Sequence, residues 1–151
     1  MGRAGFYAIP TVKLSFRSDG RWYAGDEPVV HERLARFFSR YLRRKAAGGY
    51  EIWIDERYHA DVDIEDTPFV VVGVHGDAER GFTIELNDGT AEALAPETLR
   101  IGAGDALTCR VKGNERARFL RPAYYQLAAF IEQAATGRFE LRCGDHRYAI
   151  R

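Results

Sequence analysis

"GGYEIWIDERYHADVDIED", residues 48–66, carries seven carboxylates, a histidine and a tryptophan. Its composition suggests a metal site, but its spacing suggests a structural unit. Tyr50, Ile52 and Ile54 alternate with Glu51, Trp53 and Asp55. After a turn near Asp55–Arg57, Tyr58, Ala60, Val62 and Ile64 alternate with His59, Asp61, Asp63 and Glu65. A period of two is that of a half-buried strand, so the stretch is a β-hairpin with one apolar and one polar face.

Upstream, Leu34, Phe37, Phe38, Tyr41 and Leu42 recur at helical spacing, after Pro28 and before Gly48–Gly49. The periodicity predicts a helix that the glycine pair stops. Further back, "TVKLSFRSDGRWYA" (11–24) reads as two short strands around the Ser18–Gly20 corner.

The same order returns near the C-terminus. Leu34, Phe38, Tyr41 and Leu42 correspond to Ala123, Leu127, Phe130 and Ile131, each 89 positions on (42 to 131). Tyr50, Glu51, Ile52 and Ile54 go by the same shift to Phe139, Glu140, Leu141 and Cys143. With one inserted turn residue, Tyr58 goes to Tyr148, and Arg142 takes the place of Trp53. Pro122 opens this second helix, whose apolar stripe is Leu120, Tyr124, Leu127, Ala128 and Ile131; Thr136–Gly137 ends it, and a closing hairpin follows. Helix, glycine stop and hairpin therefore occur twice.

Between the copies the chain reads as strands: "FVVVGV" (69–74), placed centrally by its β-branched run, then "FTIEL", "TAEAL", "TLRI" and "LTCRV". The expected class is α+β with mostly antiparallel sheets, organised as two interdependent halves, 1–66 and 67–151. At 151 residues, 46% hydrophobic, the chain can bury a real core. Its 22 basic and 22 acidic residues cancel, which argues against a domain built to coat nucleic acid. Cys109 and Cys143 form no CxxC pair. No run approaches the ~20 apolar residues of a membrane span, and the N-terminus lacks the apolar stretch of a signal peptide. The expectation is a soluble cytoplasmic protein.

Few residues carry chemistry. His59, Asp61, Asp63 and Glu65 share a strand face, and a metal-dependent enzyme using 55–66 is one alternative. Side chains two apart on a strand are roughly 6.5 Å apart and do not converge, and the second copy has no matching acids. A solvated or partner-facing strand is the better reading, with no metal. Arg33, Arg36, Arg40, Arg43 and Arg44 fall in one stripe of the expected first helix. A phosphate or nucleic-acid surface is the alternative there, and a solvated face is the better reading. Trp53, on a polar strand face, is a candidate binding anchor. No GxSxG, Walker or HExxH pattern occurs, so no catalytic residue and no cofactor is assigned.

"SDGRWYAGDEPV", "RLARFFSRYLRR", "DIEDTPFVVV", "LNDGTAEALAPETLRI" and "ARFLRPAYYQLAAF", in this order and spacing, resemble the bacterial domain of unknown function 1285 family. The resemblance covers most of the chain and departs at "RYHADVD" and the closing hairpin. It implies a duplicated α+β architecture, with a C-terminal half like a pleckstrin-homology barrel carrying a helix. It also implies non-catalytic binding of a small molecule or protein, in bacterial signal transduction. A duplicated chain has a seam between its halves, where pockets tend to form. "DIEDTPFVVV" crosses it, so Glu65 and Asp66, with Arg100 and Arg121 from the matching pieces of the second half, are the candidate ligand-binding residues beside Trp53. A structural salt bridge among these four is the competing reading.

Overall fold

The computed structural model describes residues 12–151, so the N-terminal run 1–11, including Thr11 of the first expected strand pair, lies outside the described residues. The chain divides into two compact units, Met1–Asp66 and Thr67–Arg151.

The first unit contains β1 (Leu14–Phe16), β2 (Trp22–Ala24), β3 (Glu27–Pro28), α1 (Glu32–Arg40), β4 (Leu42–Arg44), β5 (Tyr50–Asp55) and β6 (Tyr58–Ile64). The strands form one sheet in the order β3-β2-β1-β6-β5-β4. β1 joins β6 in parallel; every other pairing is antiparallel. Leu14, Phe16, Trp22, Phe38, Leu42, Ile52 and Val62 fill its core. Trp22 lies between Phe16 and Phe38, at ring-centroid distances of 5.1 and 5.7 Å. Its indole N–H is buried and donates to Ser39 Oγ at 2.8 Å, which satisfies the one polar atom this large core side chain brings inside.

The second unit contains β7 (Phe69–Asp77), β8 (Gly81–Leu86), β9 (Ala91–Ala93), β10 (Arg100–Ile101), β11 (Leu107–Val111), β12 (Glu115–Phe119), α2 (Arg121–Ala128), β13 (Ile131–Gln133), β14 (Phe139–Cys143) and β15 (His146–Ala149). A six-stranded sheet runs β10-β11-β12-β7-β8-β9, with β12 and β7 parallel, and a three-stranded sheet runs β13-β14-β15. "FVVVGV" is central, as its composition suggests. β12 is a strand that the sequence reading leaves unassigned, because Arg116 and Arg118 leave it only Ala117 and Phe119 as buried residues.

The six-stranded sheet curls into a half-barrel, and Lys112 shows how. At the β11–β12 turn its ammonium lies 2.7 Å from Asp88 Oδ2 and 3.2 Å from Thr90 Oγ1, while its backbone N–H donates to Glu92 at 3.1 Å. Asp88, Thr90 and Glu92 belong to the β8–β9 connection and β9, at the far end of the strand order, so a flat sheet could not make these bonds. α2 packs on β7, and Gln126 Oε1 accepts the Val74 N–H at 2.8 Å. That donor lies beside the β-bulge between Val71 and Gly73, where regular ladder bonding is interrupted.

Both helices are shorter than their apolar periodicity suggests. α1 stops at Arg40 and α2 at Ala128. Leu42–Arg44 and Ile131–Gln133, expected as last helical turns, are strands paired with β5 and β14. Gly48–Gly49 and Gly137 are therefore hairpin turns at positive φ, not helix stops. Leu42 sits in phase with a helix face and also on the inner side of a strand; pairing with Ile52 decides between them. In α2 the stripe is narrower than expected: Ala123 and Leu127 are buried, while Tyr124 is 40% exposed.

The duplication holds residue by residue through the helix and first two strands. Glu32 and Arg121 open the helices, Leu42 faces Ile52, and Ile131 faces Leu141, all at the shift of 89. The returning strand corrects the sequence reading. Ile52 faces Ala60 and Leu141 faces Tyr148, so Ala60, not Tyr58, is the counterpart of Tyr148. The second hairpin has lost a residue rather than gained one. The first contains an irregularity between Trp53 and Asp55 that the second lacks.

Phe38 and Leu127 are fully buried, so Phe38→Ala and Leu127→Ala are each expected to lower unfolding free energy by about 2–5 kcal/mol in urea titrations. A second expectation concerns acid. Burial by itself would raise the Asp88 carboxyl, but hydrogen bonds from Lys112 and Thr90 outweigh it and hold the group below its ordinary value. Its stabilisation is complete above the unfolded carboxyl pKa of about 3.9 and is lost as pH falls through the lower folded value. Lys112→Met leaves a carboxylate with 4% side-chain exposure without its cation. It should cost about 1–3 kcal/mol near neutral pH and move the acid-unfolding midpoint, followed by circular dichroism, to higher pH.

Candidate functional site

Within the first unit most acids of the opening hairpin are engaged. Asp55 accepts the backbone N–H groups of Arg57 and Tyr58 at 2.8 and 3.0 Å, which is turn chemistry. Asp61 pairs with Lys45 at 2.9 Å, and that hydrogen bond holds its carboxyl below the usual range. Asp63 lies 3.6 Å from Lys13. The candidate Glu65 accepts the Ser18 N–H at 2.7 Å, which likewise lowers its carboxyl. Among the described residues no group of three histidine, cysteine or acidic side chains could hold a metal ion.

Trp53 is half-buried and sandwiched. The Arg43 guanidinium lies 4.0 Å from its ring centroid, and the His59 ring is stacked at 4.8 Å. Arg43 also bonds the buried carboxylate of Glu51 at 2.9 Å, and Arg44 lies over Tyr50. Arg43 and Arg44 belong to β4, so the expected five-arginine helical stripe is reduced to Arg33, Arg36 and Arg40 on α1. Asp66 is half-buried at the end of the first unit; Glu65 and Asp66 lie in that unit and Arg100 and Arg121 in the other. Arg121 is exposed at the first position of α2.

Arg100 belongs to a larger constellation in the second unit. The register pairs Arg100 with Thr108, Thr108 with Arg118, and Arg110 with Arg116. Residues paired across a ladder, or two apart on a strand, share a face. Arg100, Arg110, Arg116 and Arg118 thus stand on one face, and the buried Leu107, Cys109, Val111 and Ala117 on the other. On the basic face Arg100, Arg110 and Arg116, joined by Arg151, line a recess of about 360 Å³ with Thr98 and Asn114. Arg121 is not among its lining residues.

The electrostatics of this recess are unbalanced. Arg116 donates to Thr98 O at 3.1 Å and to Thr108 Oγ1 at 2.6 Å, both neutral acceptors. Burial, followed by the positive charges of Arg100 and Arg110, lowers its pKa from the ordinary arginine value. Among the described residues Glu97 is the one acidic side chain in the lining, 3.9 Å from Arg110. Like charges directly opposite on neighbouring strands are destabilising, so the Arg110–Arg116 pair is a cost that an anion in the recess would offset. Sequence reasoning singled out Arg100 and missed Arg110, Arg116 and Arg151. The available signal was that Arg110 and Arg116 flank a Lys112–Gly113 turn, which makes them cross-strand neighbours once β12 is assigned.

The cysteines offer no thiolate. Burial pushes the Cys109 thiol up to about 12, and it also raises that of Cys143.

These features define a class: an α+β protein of two units, with a repeated helix–strand–hairpin and a curled sheet whose outer face is basic. The fold, taken without its charge pattern, is similar to that of solved proteins of the DUF1285 family. The chain is similar to a DUF1285 family protein from Silicibacter pomeroyi, at 20% identity and a TM-score of 0.72, over 92% of this chain and 79% of that one. It is also similar to one from Shewanella baltica, at 15% identity and a TM-score of 0.62, over 79% of this chain and 92% of that one. At these identities the likeness is one of fold. No family model and no curated protein matches the chain.

With most of its acids already engaged and the rest not converging, the opening hairpin should not respond to cations. Millimolar Mg²⁺, Mn²⁺ or Zn²⁺ is expected to leave the Tm unchanged in thermal denaturation, because only native-state binding raises it. A rise that disappears in the Asp61→Asn, Asp63→Asn double variant would show the opposite.

Proposed function

We propose that this chain is a non-catalytic, cytoplasmic ligand-binding module of a DUF1285-like kind, acting in bacterial signal transduction, and that its ligand is a small multivalent anion held in the arginine recess. The observation that carries this reading is the set of four guanidiniums around about 360 Å³ with a single acidic side chain among them. Guanidinium forks match phosphate and carboxylate oxygens in a bidentate way. The other polar groups at hand, Thr98 and Asn114, can orient a ligand but supply no nucleophile with a partnering base, which favours binding over turnover. A recess of this size and a net formal charge of zero favour a small anion over a nucleic-acid backbone. The curled sheet with α2 packed on it is the part of the molecule that a pleckstrin-homology-like reading rests on.

The test is isothermal titration calorimetry with inorganic phosphate, pyrophosphate and citrate, beside the Arg110→Ala and Arg116→Ala variants. The multivalent anions should bind, and Arg110→Ala should weaken them about tenfold or more. Without ligand, Arg110→Ala should keep or slightly raise stability, by up to about 0.5 kcal/mol, because it relieves repulsion. Arg33→Ala, on α1, should leave binding unchanged. Equal affinity in Arg110→Ala and Arg116→Ala, or no anion binding at all, would refute the reading.

A further inference from the structure

The short ladder that carries Arg100 and Arg151 has a second side. The Ile101 N–H donates to the main-chain oxygen of Arg151 at 2.6 Å, and the Arg151 N–H to the carbonyl of Leu99 at 3.4 Å. Neighbouring residues in extended chain point to opposite sides. While Arg100 and Arg151 line the basic recess, Ile101 and Ile150 line a different pocket, of about 390 Å³, within the same unit. α2 contributes Tyr124 and Ala128 to it, and the three-stranded sheet contributes Ile131 and Phe139.

Two properties of this pocket call for an occupant. Apolar side chains around it stand in water: Ile101 is 47% exposed, Tyr124 40% and Phe139 52%. An exposed apolar cluster around a concave pocket is what binding sites show. The lining also holds one charged side chain, Asp105. Asp105 follows Gly104 in a turn where both have positive φ, 61° and 65° respectively. Among the described residues no hydrogen bond or ion pair engages its carboxylate.

We propose that this pocket binds a small hydrophobic amine, with its aryl or branched-alkyl body against Ile101, Tyr124 and Phe139 and its ammonium on Asp105. A neutral ligand of the same shape would desolvate the lone carboxylate without pairing it, and an anion would be repelled by it. An ammonium pairs with it, while the rings of Tyr124 and Phe139 remain available to the apolar body. The volume lies in the range of small-molecule sites, roughly 300–1000 Å³. The charge preference is opposite to that of the arginine recess across the ladder, so the two sites take different ligands and this inference does not depend on the first.

The experiment compares 4-phenylbutylamine, 4-phenylbutan-1-ol and 4-phenylbutyrate by isothermal titration calorimetry on the full chain. The amine should bind about fivefold more tightly than the alcohol, with the acid weakest, and Asp105→Asn should bring amine and alcohol level. Ala128→Phe, which fills the pocket, should abolish binding of all three. Ile101→Ser, at an exposed position that does not threaten folding, should weaken all three in parallel. An amine that fails to bind at millimolar concentration, binds no better than the alcohol, or binds undiminished in Asp105→Asn overturns the proposal. So does self-association in sedimentation velocity that Ile101→Ser abolishes while no amine binds, because the pocket would then belong to a second copy of the chain.

Discussion

The second unit depends on a clasp at Lys112. One ammonium, held between Asp88 and Thr90, ties the β11–β12 turn to the β8–β9 connection. The intervening strands must curl for the two to meet. Asp88, with 3% exposure, makes the contact costly to open, since a buried carboxylate without its cation is strongly disfavoured. The curl places Leu107, Cys109, Val111 and Ala117 inside and turns Arg110 and Arg116 outward as direct cross-strand neighbours. The same closure that builds the core thus concentrates positive charge outside.

The repeated helix–strand–hairpin shows what was kept and what diverged between the two copies. The register Leu42–Ile52 and Ile131–Leu141 is common to both, and in each copy a glycine turn returns the chain to a two-stranded ribbon. The decoration differs. Where the first copy stacks Arg43, Trp53 and His59, the second has Arg142 opposite Arg147. Arg142 bonds Glu79 and the Gly144 N–H donates to the Ala78 carbonyl, so the second hairpin is spent on holding the β7–β8 turn. Such divergence is expected once each copy packs on different neighbours, because backbone pairing constrains register and leaves solvent-side residues free.

The two concavities follow from one piece of geometry. β10 and the chain at 150–151 form a ladder only a few residues wide, and alternation sends arginines to one side and isoleucines to the other. The strand pair divides the two concavities, whose linings are completed by turn residues on one side and by α2, the three-stranded sheet and the Asp105 turn on the other.

Local pattern in the sequence was enough for the hairpin at 50–64, the presence of both helices and Pro122 at the start of the second, the central place of "FVVVGV" and the offset of 89 between the copies. Each of these depends on periodicity or turn chemistry within a few residues. The helix ends were beyond it, because Leu42 and Ile131 satisfy a helix face and a strand face equally well, and only hydrogen bonding to β5 and β14 decides between them. So was β12, whose arginines hide its two buried residues, and with it the arginine face. Arg100, Arg110, Arg116 and Arg151 are scattered along the chain and become neighbours only through non-local strand pairing. Of the residues singled out from sequence, Trp53 and Glu65 proved to have partners inside the first unit, and Arg100 alone lies in the recess. A charge cluster built across a sheet is a property of register, which single-chain periodicity does not encode.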